Sequence, residues 1–225
     1  MNAQGKRSGE TAREYAYRMI REQVISLELK PGEAFNDMEF AAKIGVSRTP
    51  VREAVIQLSE ESRIIEIFPQ RGMRIAPIDV ELVEEARSLR VLLEKQIAGM
   101  CCEMATEEDI KWLQENVGLQ EFYMENSRPE MVMQLDDEMH HKLFMICHRE
   151  LTYGMCQKLA IHYDRIRSLS VNTVKDHTVI EDHKKIIRFI AAHEKENAMA
   201  QMEKHLSRWQ LNEGKFRQEF PDYFK

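Results

Sequence analysis

The sequence is poor in cysteine, with four among 225 residues and none in a CxxC pair. This scarcity argues against a disulfide framework and a thiolate metal site, and it predicts four reduced, buried thiols. Long apolar runs are absent as well, because none approaches the roughly 20 residues of a membrane span. The N-terminus MNAQGKRSGETAREY also lacks the apolar centre of a signal peptide. We therefore expect a cytoplasmic protein that does not contact a membrane.

A basic composition is also missing, since the formal net charge is −6. The charge is uneven, however. Residues 1–77 hold 12 Lys and Arg against 11 Asp and Glu, whereas residues 78–225 hold 20 against 27. A near-neutral segment can still present a basic face, because phosphate contact depends on local clustering more than on total charge. Length and composition together predict two small domains, 1–77 and 78–225, and leave nucleic acid open as a partner of the first.

The first domain begins with two helix signals. Apolar residues at helical spacing predict a helix over 11–29, which the turn Lys30-Pro31-Gly32 ends. A shorter helix is predicted over 38–44, with Asn36-Asp37 as capping candidates and Gly45 at its C-terminal end.

A third helix is predicted to start in the stretch VSRTPVREAV. Ser47 is a good N-cap, and Pro50 falls in the first turn, where its missing N–H has no intrahelical partner. Arg48 and Arg52 are four residues apart on one face of this helix. The opposite, apolar face consists of Val51, Ala54, Val55 and Leu58.

Two β-rich runs, 63–68 and 72–76, follow and are joined by Pro69-Gln70-Arg71, which predicts a hairpin. Three helices and a hairpin make a winged helix-turn-helix, whose third helix enters the DNA major groove. Arginines there can donate forked hydrogen bonds to guanine or to phosphate. For Arg74 two interpretations stay equally open: the side chain contacts DNA, or it is an ordinary exposed charge on a β-strand. The residues expected to face double-stranded DNA are Ser47, Arg48, Thr49, Pro50, Arg52, Arg71 and Gly72.

The runs LKPGEAF, FAAKIGVSRTPVREAVIQL and RGMRIAPI resemble the N-terminal domain of the GntR family of bacterial transcription regulators, over about residues 11–77. The resemblance implies a protein that binds operator DNA. Two positions depart from the family pattern. Ser62 stands where a glycine usually follows the recognition helix, and Met38 stands where many relatives carry a polar or basic residue.

Residues 79–225 are predicted to be helical throughout, so the protein is expected to be mainly α, a winged helix-turn-helix followed by an all-helical bundle. A bundle of this size can enclose a pocket between facing helices. One predicted break lies at Lys175 to His177. Apolar spacing predicts six helices, at 80–104, 106–125, 129–148, 151–171, 177–193 and 195–218.

The stretch DDEMHH places carboxylates and imidazoles one helical turn apart. Asp137 and His141 share one helix face, and Asp136 and His140 share another, so spacing alone leaves the register open. Two such ligands bind a divalent ion weakly. Four ligands cannot be chosen from the eight histidines on spacing alone.

The segments DDEMHHKLF, EDHKKIIRFI and MEKHLSR are similar to the effector domain of the FadR subfamily of GntR regulators, and the short form resembles its VanR branch. That domain carries an Asp and three His around a metal ion. The donor set suits Zn, Ni, Mn or Fe. The metal ligands that the resemblance implies are Asp137, His141, His183 and His205.

Arg90 resembles an arginine in the first helix of these effector domains, where it can clamp a carboxylate in the pocket. The alternative is a surface ion pair with Glu94. Arg165 and Arg167 are weaker pocket candidates, because Asp164 beside them offers a simple salt bridge.

These observations lead to the hypothesis that the protein is a ligand-responsive transcription regulator and acts as a repressor. It is expected to bind a palindromic operator as a homodimer. Its second domain is expected to sense a small carboxylate effector at a metal-containing pocket. Two alternatives stay open. In a direct metal sensor the ion itself is the signal, and in a metal-dependent hydrolase the ion would activate water.

Overall fold

The computed structural model describes residues 5–173 and 177–225, so most of the predicted break at Lys175 to His177 lies outside the described residues. The chain forms two compact units. The first runs to Val80 and also contains Phe220–Lys225, and the second is Glu81–Glu219. The sequence prediction had assigned the last six residues to the second domain.

The C-terminal segment belongs to the first unit because its backbone pairs with Ile78. The Ile78 N–H donates to the Tyr223 carbonyl at 2.7 Å, and the Lys225 N–H donates to the Ile78 carbonyl at 3.0 Å. The ammonium of Lys225 also lies 3.0 Å from the Asp79 carboxylate. Sequence periodicity carries no signal for such a long-range backbone pairing.

The first unit contains three helices and a three-stranded antiparallel sheet with the strand order β1-β3-β2. The predicted helices and hairpin are confirmed, whereas β1 was missed because two residues are too few to show strand alternation. The elements are α1 Ala12–Ile25, β1 Ala34–Phe35, α2 Asp37–Ile44, α3 Arg48–Ser62, β2 Ile65–Phe68 and β3 Gly72–Ile75.

Local capping explains where these helices begin and end. Thr11 forms a capping box with Glu14 at the start of α1. The Asn36 side chain accepts hydrogen bonds from two backbone N–H groups in the first turn of α2, and Gly45 ends that helix in the left-handed region with φ 74°. Ser47 occupies the N-cap position of α3, but its side chain makes no capping hydrogen bond. The predicted apolar face of α3 is fully buried.

Arg63 ends α3 in a left-handed conformation, with φ 55°. The Ser62 hydroxyl, at the position where the family usually has glycine, instead donates to the Leu58 carbonyl at 2.9 Å. A side chain with a Cβ adopts the left-handed region at a cost that glycine does not have.

We expect Arg63→Gly to stabilise the first unit by about 1 kcal/mol, because it relieves this backbone strain. Calorimetric unfolding of the full chain measures the effect as a higher transition temperature for that unit. Glu60→Gly, within the exposed face of α3, is the control and should destabilise by about 1 kcal/mol. A destabilising Arg63→Gly would contradict the strain argument.

The second unit is helical throughout the described residues, as predicted, but the six-helix prediction is wrong. The predicted helix over 151–171 is divided at Ala160, and the predicted helix over 195–218 is interrupted after Leu206. Apolar spacing continues across both interruptions, so periodicity does not reveal them. The helices are α4 Val80–Met104, α5 Glu107–Glu125, α6 Pro129–Ile146, α7 Glu150–Leu159, α8 Ile161–Thr173, α9 Thr178–Ala191, α10 Lys195–Leu206 and α11 Glu213–Glu219, with a 3-10 turn at Arg208–Leu211. A second 3-10 turn, Pro221–Tyr223, lies in the C-terminal segment of the first unit.

The hydrophobic core of the second unit lies between α4, α5, α6, α9 and α10. All four cysteines are free and buried, as predicted. Within the described residues, no helix combines the length and the apolar character that crossing a membrane requires.

Candidate functional site

The exposed N-terminal end of α3 carries the residues predicted to contact DNA. The side chains of Arg48 and Arg52 are 56% and 61% exposed. Both approach one carboxylate oxygen of Asp37 in α2: the Arg48 Nε lies 3.0 Å and the Arg52 Nη1 3.8 Å from Asp37 Oδ2. Ser47 and Thr49 are exposed beside them, and Pro50 is half-buried.

Asp37 is 3% exposed, although it is charged. It joins the first turn of α2 to the exposed face of α3 and so orients both guanidinium groups. From the sequence, Asp37 was predicted only as a capping candidate for α2. Its role depends on the packing of α2 against α3, which neither helix encodes locally.

The hairpin presents Arg71 and Gly72 at its exposed tip. Gln70 and Gly72 have φ values of 61° and 99°, and the Arg71 N–H donates to the Phe68 carbonyl at 3.0 Å, which closes the turn. Arg74 forms a cross-strand ion pair with Glu66, and its guanidinium lies 5.3 Å from the centre of the Phe68 ring. These contacts favour the strand-charge interpretation of Arg74.

A buried cluster of one carboxylate and three imidazoles lies in the second unit. It consists of Asp136 and His140 from α6, His183 from α9 and His205 from α10, with potential ligand atoms all within 4.8 Å of one another. The His205 Nε2 is 3.3 Å from the Nε2 atoms of both His183 and His140. Asp136 Oδ1 lies 3.2 Å from the His183 Nε2.

The structure corrects the predicted register in α6, because Asp137 and His141 lie outside this cluster. The Asp137 side chain is 43% exposed and lies 2.8 Å from Arg167. The His141 ring stacks on Tyr153, with ring centres 4.4 Å apart and an interplanar angle of 17°. The buried stripe of α6 contains Asp136 and His140, and the next residues along a helix are rotated by about 100° away from it.

Side chains from other helices contact two of the imidazoles. The Gln120 amide donates to Asn116 Oδ1 at 2.8 Å, so its Oε1 is left to accept from His183 Nδ1, also at 2.8 Å. The His140 Nδ1 lies beside the Glu94 carboxylate. The His183 ring is therefore protonated on Nδ1 and turns its Nε2 lone pair toward the centre of the cluster.

Electrostatics keep these groups ready to bind a cation. Burial lowers the pKa of His183, and burial together with the neighbouring His183 lowers the pKa of His205 well below its ordinary value, so both rings stay neutral. Burial opposes ionisation of Asp136, but the Arg167 guanidinium and His183 outweigh it and hold the pKa of that carboxyl well below its usual range.

The donor spacing fits a divalent transition metal. Bonds of about 2.0–2.1 Å that meet at right or tetrahedral angles place neighbouring donors roughly 2.8–3.4 Å apart. The His205 Nε2 lies 3.3 Å from the Nε2 atoms of His183 and His140, within this range. Zn, Ni, Mn and Fe all accept three imidazoles and a carboxylate.

Gln120→Ala should lower metal affinity by about 10–100-fold, because His183 loses the partner that fixes its tautomer and ring orientation. Competition with a chelator of known affinity measures this change. Gln134→Ala is the matched control, since Gln134 lies on the exposed face of α6, where its amide donates to Glu138. An unchanged affinity in Gln120→Ala would contradict the assigned tautomer.

A cavity adjoins the cluster and shares Asp136 and His205 with it. Arg90 lies on its wall, only 5% exposed, and the Nε donates to Glu94 Oε1 at 2.6 Å. Arg90 therefore lines the pocket and also forms the ion pair with Glu94 that was the alternative. This ion pair is buried, whereas the alternative placed it at the surface. Arg167 also lines the cavity and pairs with Asp136, Asp137 and Asp164. Arg165 is fully buried and is not among the lining residues.

Both units match known families. Residues 12–75 match the family of bacterial regulatory proteins, gntR family, and residues 85–208 match the FCD domain. The HTH-type transcriptional repressor RspR of Escherichia coli (strain K12) is 28% identical over 209 residues, 92% of this chain and 91% of that protein. The Nta operon transcriptional regulator of Aminobacter aminovorans is 31% identical over 126 residues, 56% of this chain and 59% of that protein.

Among solved structures, E. coli McbR/YncC superposes with a TM-score of 0.78 at 18% identity, over 93% of this chain and 99% of that one. A putative transcriptional regulator GntR from Rhodococcus sp. RHA1 gives a TM-score of 0.72 at 18% identity, over 90% of this chain and 97% of that one. At this identity the likeness shows the fold alone, and it confirms the predicted fold class.

Proposed function

Because the chain belongs to the GntR family of bacterial regulatory proteins and carries an FCD domain, we propose that it is a repressor whose operator affinity responds to a small organic acid bound beside a metal ion. Members of this family are DNA-binding transcriptional regulators, so the chain is a regulator and not an enzyme. The metal-dependent hydrolase considered from the sequence is thereby excluded.

The winged unit reads the operator. In a winged helix-turn-helix, the N-terminal residues of the recognition helix reach the base edges, and the hairpin lies along the backbone or the minor groove. Arg48 and Arg52 are exposed at that end of α3 and share the carboxylate of Asp37. Binding as a two-fold dimer places two such helices on the half-sites of a palindrome.

The helical unit binds the acid. The observation that carries this part is that the cavity and the four-residue cluster share Asp136 and His205. A bound divalent ion supplies a positive centre that attracts a carboxylate oxygen. The chain itself supplies Arg90, whose guanidinium is held in place by Glu94 and by the Tyr163 ring, 5.2 Å away.

Linkage between the two units makes the regulation possible. The acid changes operator affinity only to the extent that it binds one placement of the two winged units more tightly than another. The coupling is reciprocal, so the operator must change the affinity for the acid by the same factor.

Capture of sheared genomic DNA on the purified, metal-loaded protein tests the first part, with enrichment of one or a few palindromes as the expected result. Small acids are then added to the captured complex, and release of DNA by an acid, but not by chelation alone, supports the proposal. Release by chelation alone favours the direct metal sensor. If a folded protein enriches no site, either with or without acids, the proposal that it binds a specific operator is contradicted.

A further inference from the structure

The cavity has a polar region and an apolar region, one helical turn apart. The polar region contains Asp136 on α6 and Arg167 on α8, beside His205 and Arg90. One turn along α6 from Asp136, the wall is formed by Val132 and Met133. The distance from the cluster to this apolar wall is therefore about 5–6 Å along the helix axis.

Side chains from four further helices, α5, α8, α9 and α10, extend the apolar wall. Met124, near the end of α5, lies close to Val132 across the three-residue turn that joins α5 to α6. The apolar residues that line the cavity are Met124, Val132, Met133, Ile166, Val171, Val179 and Leu206, and the polar residues beyond the cluster end are Tyr163, Ser170, Arg208 and Asn212.

The arginines on the wall have little charge to offer a second anionic group. Arg90 pairs with Glu94, and Arg167 is shared among three carboxylates. Arg208, at the beginning of the 3-10 turn, binds the fully buried carboxylate of Asp182. Each of these three guanidinium groups already pairs with at least one carboxylate, so none of them is left to bind a second anionic group alone.

From these observations we infer that the effector is a monocarboxylate with an unbranched or lightly branched apolar chain of about four carbons beyond the carboxyl group, the length of one helical turn. This inference rests on the proposed function, because the carboxyl group binds at the metal-containing end. Dicarboxylates and polyhydroxylated acids are disfavoured, since their second polar end would lose its hydration against valine and methionine side chains.

Calorimetric titration of the metal-loaded full chain with acetate, butyrate, pentanoate, glutarate and gluconate tests the inference. We expect affinity to rise by about fourfold per methylene from acetate to pentanoate. Glutarate, which matches pentanoate in length but ends in a second carboxylate, and gluconate should bind no better than acetate. Glutarate or gluconate binding as tightly as pentanoate would overturn the inference.

Substitution of Met133 tests the position of the apolar chain. Met133→Ala should weaken pentanoate binding several-fold and leave acetate binding and metal content unchanged, because Met133 contacts the chain and not the carboxyl group. Met145→Ala is the matched control, since Met145 is 42% exposed on the same helix and does not line the cavity. An equal loss of acetate and pentanoate binding in Met133→Ala would contradict the assignment.

The outcomes separate this inference from the proposed function. Metal-dependent acetate binding without any dependence on chain length leaves the proposed function standing and rejects the apolar subsite. If none of the five acids binds the metal-loaded protein, both the acid-responsive function and the inferred effector class are rejected.

Discussion

Replacing His140 with alanine should abolish the metal binding that we propose for the purified protein, whereas replacing His141, its neighbour, should leave that binding unchanged. His140 turns its Nε2 toward His205 at 3.3 Å, and its Nδ1 lies beside the Glu94 carboxylate. His141 instead stacks on Tyr153. Loss of one of four ligands should weaken binding by more than the roughly 10–100-fold that loss of an outer partner causes. Elemental analysis of metal per chain gives the readout.

The two preceding carboxylates provide a second matched pair. Asp136→Asn should also lower metal content, whereas Asp137→Asn should retain it, because Asp137 contacts Arg167 outside the cluster. Since an empty buried site can destabilise the bundle, His140→Gln and circular dichroism distinguish ligand loss from unfolding. Metal retained in His140→Ala and lost in His141→Ala would establish the other register.

Replacing Arg52 with alanine should abolish specific operator binding and leave the metal content unchanged. A forked arginine contact to a base contributes about 1–3 kcal/mol of discrimination, and the proposed two-fold dimer would lose two such contacts. The expected loss is therefore about 2–6 kcal/mol, which is at least about thirtyfold and about 10⁴-fold at the upper end. Fluorescence anisotropy on operator and on scrambled DNA of equal length measures it.

The comparison between the two DNAs distinguishes base contact from phosphate contact. If Arg52 contacts a base, operator affinity falls and affinity for scrambled DNA changes little, whereas a phosphate contact weakens both and lowers the salt slope by about one. Lys111→Ala, which removes an exposed cation from α5 in the helical unit, should affect neither. Loss of metal together with loss of operator binding in Arg52→Ala would contradict separate roles for the two units.

The limits of α2, the start of α3 and the hairpin turn of the first unit were predicted correctly, because residues close together in the sequence determine them. Asn36 and Gly45 bound α2, and Pro50 lies in the first turn of α3, as predicted. The hairpin turns at Pro69-Gln70-Arg71, between β2 and β3, also as predicted. Each of these signals acts within a few residues. The sequence by itself therefore determined the winged helix-turn-helix and the helical character of the rest.

Only the tertiary structure decided which residues form the buried cluster. DDEMHH contains the same Asp-to-His spacing twice, so the choice between Asp136 with His140 and Asp137 with His141 depends on which face of α6 is buried by the neighbouring helices. Gln120 was not predicted, because it lies 63 residues from the His183 that it orients. Packing between distant helices brings these groups together, and no local pattern in the chain records that packing.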